Sequence, residues 1–289
     1  MYHYHTIFSE VKDVLSTRLN IFDEETNHLY LNIIKNLKPG NDYTFQQIML
    51  EYLTTFQNKS LFFYHKHHYH HNGFYVRKIE DALIVNDVNF DNRLVVGDVI
   101  THMSQDEITK LEQRYQKLLF NEADIVQDWT HIVMKQSDIN VLRGEESYVF
   151  QLHQYQALPE NTVSDFGDYR VVRIYDFNQF IQYQTDVPVI LDLRYARGVK
   201  AYDYYADVIL VSPLTKGSPE YFVHQSECKT IGEPTFGAAN QFTVETYDDF
   251  VFVYGEEEGF QIMPDIRLSD TLMHDEILNE AKQWIGVNR

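Results

Sequence analysis

The chain has 289 residues, with 24 Lys and Arg against 43 Asp and Glu, and its net charge of −19 excludes a nucleic-acid footprint or docking on anionic lipid. Hydrophobic content of 44% leaves ample core for one large domain or two to three small ones. The single Cys228 excludes an intrachain disulfide, and no window approaches the roughly 18 uninterrupted apolar residues of a spanning helix.

The opening residues lack both a basic n-region and a continuous apolar h-region, so a cytoplasmic location is expected. Residues 6–57 read as helices. Leu29, Tyr30, Ile33, Ile34 and Leu37 keep helical spacing up to Pro39-Gly40. Thr44 to Gln47 is a capping-box pattern, with Ile48, Met49, Tyr52, Leu53 and Phe56 on one face after it. His65-Lys-His-His-Tyr-His-His71 follows. Consecutive histidines on an extended chain cannot converge on one ion, so this stretch is expected to be a solvated or pH-sensitive loop and not a metal site.

From Gly73 the pattern turns to strands: Gly73–Lys78, Asp81–Val88 and Leu94–His102. Ser104 to Glu107 is a second capping-box pattern, predicting a helix with Ile108, Leu111, Tyr115, Leu118 and Leu119 inward. This order resembles a PDZ module. Gly73-Phe74 is similar to the end of its carboxylate-binding loop, and Leu94-Val-Val-Gly-Asp-Val-Ile100 to its L-x-x-G-D-x-I stretch. The resemblance implies peptide binding by strand addition at Gly73, Phe74, Tyr75 and Val76, flanked by Leu111.

Three further strands are expected at Trp129–Met134, Ser147–His153 and Tyr169–Phe177, with a loop at Leu158–Gly167 and a short helix at Asn178–Tyr183. The runs Val189–Leu191 and Val208–Val211 are apolar throughout and end in polar and glycine residues. That is the pattern of buried strands in an α/β sheet, where ligands sit at the strand ends. Gln241–Tyr247 and Asp249–Tyr254 read as a hairpin around Asp248-Asp249, and a final helix carries Met273, Ile277, Ala281, Trp284 and Ile285 on one face.

Taken together these pieces resemble the tail-specific (C-terminal processing) serine peptidases. Tyr169–Phe177 is similar to the strand preceding that family's core. Val189-Ile-Leu-Asp-Leu-Arg194 is similar to I-I-D-L-R, Ile231-Gly-Glu-Pro-Thr-Phe-Gly237 to V-G-E-x-T-x-G, and Met263-Pro-Asp-Ile266 to the closing P-D stretch. The resemblance implies an α+β fold in three parts: a helical N-terminal module at 1–72, a PDZ-like domain at 73–122 and a ClpP/crotonase-like α/β core at 123–289.

The family's catalytic stretch, T-x-S-A-x-E, matches Thr215-Lys-Gly-Ser-Pro-Glu220, so Gly217 stands at the nucleophile position. Ala238 stands at one branch's Lys base position, Asn58-Lys-Ser60 at the other's D-x-H, and Tyr195-Ala-Arg-Gly198 at the N-x-G-G oxyanion loop. Ser218, before Pro219, either caps the following helix or acts as a displaced nucleophile with Lys216 or His224 as base. His102, His131 and His153 are scattered, and Asp192 and Arg194, two apart on a strand, are expected to form a local ion pair. The expected function is a catalytically impaired serine-peptidase-like protein binding polypeptide segments or C-termini, with no cofactor. The alternatives are an active endopeptidase using Ser218 and a structural or assembly subunit.

Overall fold

The computed structural model describes residues 4–67, 69–120, 122, 127–271 and 274–287. In chain order the elements begin with α1 Tyr4–Arg18, α2 Glu24–Lys35, α3 Asp42–Thr54, β1 Leu61–His65, β2 Phe74–Ile79, β3 Ala82–Val88, β4 Val99–Met103 and β5 Asp106–Glu107. Then come α4 Ile108–Arg114, α5 Thr130–Val133, β6 Asp138–Arg143, β7 Glu146–Gln151, β8 Thr162–Asp165 and β9 Arg170–Arg173. The rest are β10 Val189–Asp192, β11 Arg197–Gly198, β12 Val208–Val211, β13 Lys216–Gly217, α6 Ser218–Gln225, β14 Lys229–Gly232, β15 Phe242–Tyr247, β16 Phe250–Gly255, β17 Ile266–Arg267 and α7 Glu276–Val287.

The chain divides into two compact units. The first joins 1–69 to 240–259. Its sheet runs β1-β16-β15, all antiparallel, with β15 and β16 turning at Asp248 as the spacing predicts. Its core places Ile7, Phe8 and Val11 of α1 with Phe45, Met49 and Tyr52 of α3 and Phe63, Phe250 and Phe252 of the sheet.

The second unit holds 70–239 and 260–289. One of its sheets is antiparallel in the order β2-β3-β4-β6-β7, with β5 on β4. The other runs β17-β14-β12-β10-β9-β8 and is parallel except where β8 meets β9. The central strands β10 and β12 are buried at every position and apolar at all but Asp192, because both faces are covered. Val189 and Leu191 of β10, with Ile209 and Val211 of β12, pack with Val223 of α6. Ile190, Val208 and Leu210 pack against Ile277, Ala281 and Ile285 of α7.

Several expectations need correction. Helix α3 begins at Asp42 behind Asn41, so Thr44–Gln47 lies inside it and caps nothing. Ser104 and Gln105 have positive φ (48° and 70°), making a tight turn between β4 and β5 in place of a helix cap, and α4 is accordingly short. Only Val99 onward is strand in the Leu94 run: Val95 and Val96 are exposed while Asp98 is buried and paired with Arg143. Trp129–Met134 folds as α5, because the Asp128 side chain accepts from the Thr130 N–H and turns the chain. Asn178–Tyr183 forms no helix, since the Asn178 side chain accepts from the N–H groups of Val199 and Lys200. Strand β8 lies within the expected loop at 158–167.

The antiparallel sheet also crosses the expected boundary at 122, because β6 pairs with β4 and brings β7 with it. The histidine stretch is not uniformly solvated. His65 is buried against Phe250, and His71 is buried through its backbone bridge to Tyr155. His68 and Met273 lie outside the described residues. Among the described residues no three His, Cys, Asp or Glu side chains converge as metal ligands.

Candidate functional site at the ends of the parallel strands

Polar and glycine residues follow the ends of the central parallel strands, the place where open α/β sheets hold their ligands. At the end of β10, Asp192 is fully buried and Arg194 nearly so, bonded to each other at 2.9 Å through Nε and Nη2. Arg173 of β9 also donates to Asp192, and Arg194 reaches Asp270 and Asp275 at 3.0 and 2.8 Å. Burial would raise the Asp192 carboxyl, but Arg194 and Arg173 hold it well below the usual carboxylate range. The expected ion pair is therefore present, as part of a charge network that ties α7 to the sheet.

At the end of β14, Gly232 approaches β12 so closely that a Cβ would lie 2.1 Å from the Val211 carbonyl oxygen, and its φ of +138° adds a second demand for glycine. The following residues serve Glu220 of α6. This carboxylate is 0% exposed and accepts four hydrogen bonds: from Thr235 Oγ1 (2.6 Å), Gly237 N (2.7 Å), Ala238 N (2.9 Å) and Gly217 N (2.9 Å). Burial pushes its pKa up and the four donors oppose that shift. The Gly-Glu-Pro-Thr-Phe-Gly run is thus a cradle for one buried acid that pins the start of α6.

Strand β13 pairs with β11 in parallel, Arg197 opposite Lys216 and Gly198 opposite Gly217. Gly217 is the N-cap of α6, at φ 79° and ψ −127°, a backbone that side-chain-bearing residues adopt only under strain. A sharp strand-to-helix turn of this kind is where a nucleophile elbow presents its hydroxyl. Here the elbow residue carries no side chain.

The proposed catalytic residues fall as follows. Ser218 is the first helical residue, 8% exposed, so Gly217 and not Ser218 is the cap. No side chain among the described residues hydrogen-bonds its hydroxyl. Lys216 is ion-paired with Asp128, and its Nζ lies 4.2 Å from the Phe236 ring centroid. Burial lowers its pKa while Asp128 raises it. Burial would raise Asp128, but Lys216 holds it far below the usual range. His224 is exposed in the last turn of α6, against Phe260 at 4.7 Å. Six residues after Ser218, it lies about 9 Å further along the helix axis. The structure does not bring it to Ser218.

Of the proposed peptide-binding residues, Phe74, Val76 and Leu111 pack in the core of the antiparallel sheet. Tyr75 points the other way, into a stack with Tyr195 (4.8 Å) and Tyr175 (6.3 Å). Among the described residues β2 is an edge strand, paired with β3 alone. Gly73 does not present a free N–H: it donates to His71 Nδ1 at 2.8 Å, and its carbonyl accepts from Asn89 and Phe90.

Sequence reasoning missed Asp128, Arg197 and the ordering role of Glu220, and it left His131 among scattered histidines. His131 follows Asp128 by one helical turn, with a sheltered Nδ1 that has no hydrogen-bond partner. Nothing in the sequence couples Asp128 to Lys216 across 88 positions. The one available signal was Asp128 before Thr130, an Asx-type turn.

No protein-family model and no curated protein matches the sequence. Among solved structures, a point mutant of CPAF covers 98% of this chain and 96% of its own, with TM-score 0.58 and 8% identity. Mature CPAF covers 98% and 95%, with TM-score 0.57 and 8% identity. The photosystem II D1 C-terminal processing protease covers 93% and 94%, with TM-score 0.40 and 14% identity. At these identities the likeness to CPAF establishes a shared fold across the chain.

Proposed function

We propose that this chain is a protease-like protein of the tail-specific type that has kept the frame of the site and binds polypeptide without cleaving it. The observation that carries the reading is Gly217 at the strand-to-helix elbow. The backbone there is the one a nucleophile would use, the Glu220 cradle still pins it, and no hydroxyl is attached. The neighbours do not substitute: Lys216 is held by Asp128, and Ser218 has no base hydrogen-bonded to it among the described residues. A serine hydroxyl without an adjacent base is a weak nucleophile at neutral pH. The shared fold with CPAF and the ordered motifs support the family reading, and the backbone edge of β2 supports polypeptide binding by strand addition.

Fluorophosphonate labelling and turnover of fluorogenic peptides test this directly. Both are expected to be absent at neutral pH. Labelling that disappears in Ser218→Ala would establish an active enzyme and overturn the proposal. The binding half is checked by calorimetry with a pool of extended peptides, where heat of binding is expected.

A further inference from the structure

Arg197 and Lys216 are direct partners in the parallel β11–β13 ladder, so their side chains leave the same face of that small sheet. Two cations are therefore set side by side. Lys216 has its counter-ion, Asp128. Arg197 makes no close ion pair among the described residues, although Asp128 and Asp176 act on it at longer range. Its guanidinium spends one donor, at 3.5 Å, on the Tyr75 hydroxyl, and its Cζ lies 5.8 Å from the Tyr75 ring centroid. The acids around it and around Tyr75 are occupied, Asp128 by Lys216. Asp176 accepts from Asn178 N and Gln179 Nε2, and Asp87 from Tyr175 and Asn89.

His71, 1% exposed, packs against the same tyrosine ring, with ring centroids 4.8 Å apart, and burial and then the nearby Arg197 cation lower its pKa. Its Nδ1 accepts from Gly73 N at 2.8 Å, which puts the ring proton on Nε2. That Nε2 has no hydrogen-bond partner. A buried donor left unmade is costly, and natural structures seldom tolerate one unless a ligand completes it. The unspent donors beside Tyr75 thus share one chemistry. They are N–H groups, one cationic, and they call for an anionic acceptor. A guanidinium offers two parallel donors, the geometry that a carboxylate accepts.

We propose that Arg197, with His71 Nε2 and the Tyr75 hydroxyl, forms a carboxylate-binding site. This builds on the polypeptide-binding reading by moving the receptor for a terminal carboxylate away from the Gly73 backbone, whose N–H is already spent. The source of the carboxylate is a polypeptide C-terminus or a small carboxylate, and these are separated by experiment.

The test is a histidine-ring NMR titration of the full chain with sodium acetate, at ionic strength held constant with chloride. A parallel titration uses acetamide, which has nearly the same shape and no charge. The His71 resonance, identified by its loss in His71→Gln, is expected to shift saturably with acetate and not with acetamide. Arg197→Met is expected to abolish the shift. If that variant fails to fold, the acetate–acetamide contrast on the unmodified chain still decides. No saturable shift with acetate, equal shifts with acetamide, or a shift that persists in folded Arg197→Met overturns the site. A pool of free-acid hexapeptides is then added to the acetate complex beside the same pool amidated at the C-terminus. Displacement by the free acids alone assigns the site to polypeptide ends. Displacement by neither pool leaves the carboxylate site standing for small carboxylates and removes its link to polypeptide binding.

Discussion

Lys216 shows how a residue's chemistry is decided by what surrounds it. A lysine beside a serine at a helix start is a plausible general base if burial lowers its pKa and no anion holds its proton. Here burial does the first and Asp128 opposes it without reversing it, but Asp128 holds the ammonium in an ion pair, and both side chains are largely sequestered, at 12% and 5% exposure. Removing one partner would leave a buried, uncompensated charge. Lys216→Met is therefore expected to cost roughly 3–5 kcal/mol in urea unfolding. The double variant Lys216→Met with Asp128→Asn should lose less than the sum of the two single variants, a coupling that a double-mutant cycle measures. Additive losses would mean that the pair contributes nothing to the folded state.

Glycines at the ends of β13 and β14 and the acid of α6 act as one element-scale device. Gly232 lets β14 close on β12, which brings Thr235, Gly237 and Ala238 within reach of Glu220, and Glu220 in turn holds the Gly217 N–H. The helix start is thus fixed by a strand that follows it in sequence. Gly232→Ala would drive a Cβ into the Val211 carbonyl, an atom of a central parallel strand that cannot retreat without breaking its ladder. The expected loss exceeds about 4 kcal/mol, seen as insoluble or unfolded protein by circular dichroism. Gly40, with positive φ and nothing within 4 Å of its added Cβ, is the control: alanine there should cost only the backbone strain, about 1 kcal/mol.

Across the whole molecule the charge of −19 is an electrostatic load on the folded state. Like charges drawn together by folding repel, and salt screens that repulsion beyond roughly 10 Å at 0.1 M. The melting temperature is therefore expected to rise between about 20 and 200 mM NaCl. A fall would mean that attractive pairs such as Arg170 with Asp165 and Asp186 outweigh the net repulsion. The second unit carries the strand ends, the cradle and the Arg197–Tyr75–His71 group, so each proposal above can be tested on residues of that unit alone.

What the sequence determined by itself was whatever depends on near neighbours. Apolar runs at 189–191 and 208–211 announced buried strands of an α/β sheet, because a strand covered on both faces has no polar alternation. The hairpin at Asp248 and the last helix were legible for the same reason, as were Asp192 and Arg194, two residues apart. Local patterns misled where a distant partner outbid them. The capping boxes at Thr44 and Ser104 and the short helix at Asn178 all lost to turns or bonds made elsewhere. Tertiary structure alone decided the site. It set Arg197 beside Lys216, ion-paired Asp128 with Lys216, packed His71 against Tyr75 and carried His224 away from Ser218. Those choices depend on which strands pair and in what register, and register is written in packing between segments far apart in the chain, where no periodicity of a single segment can express it.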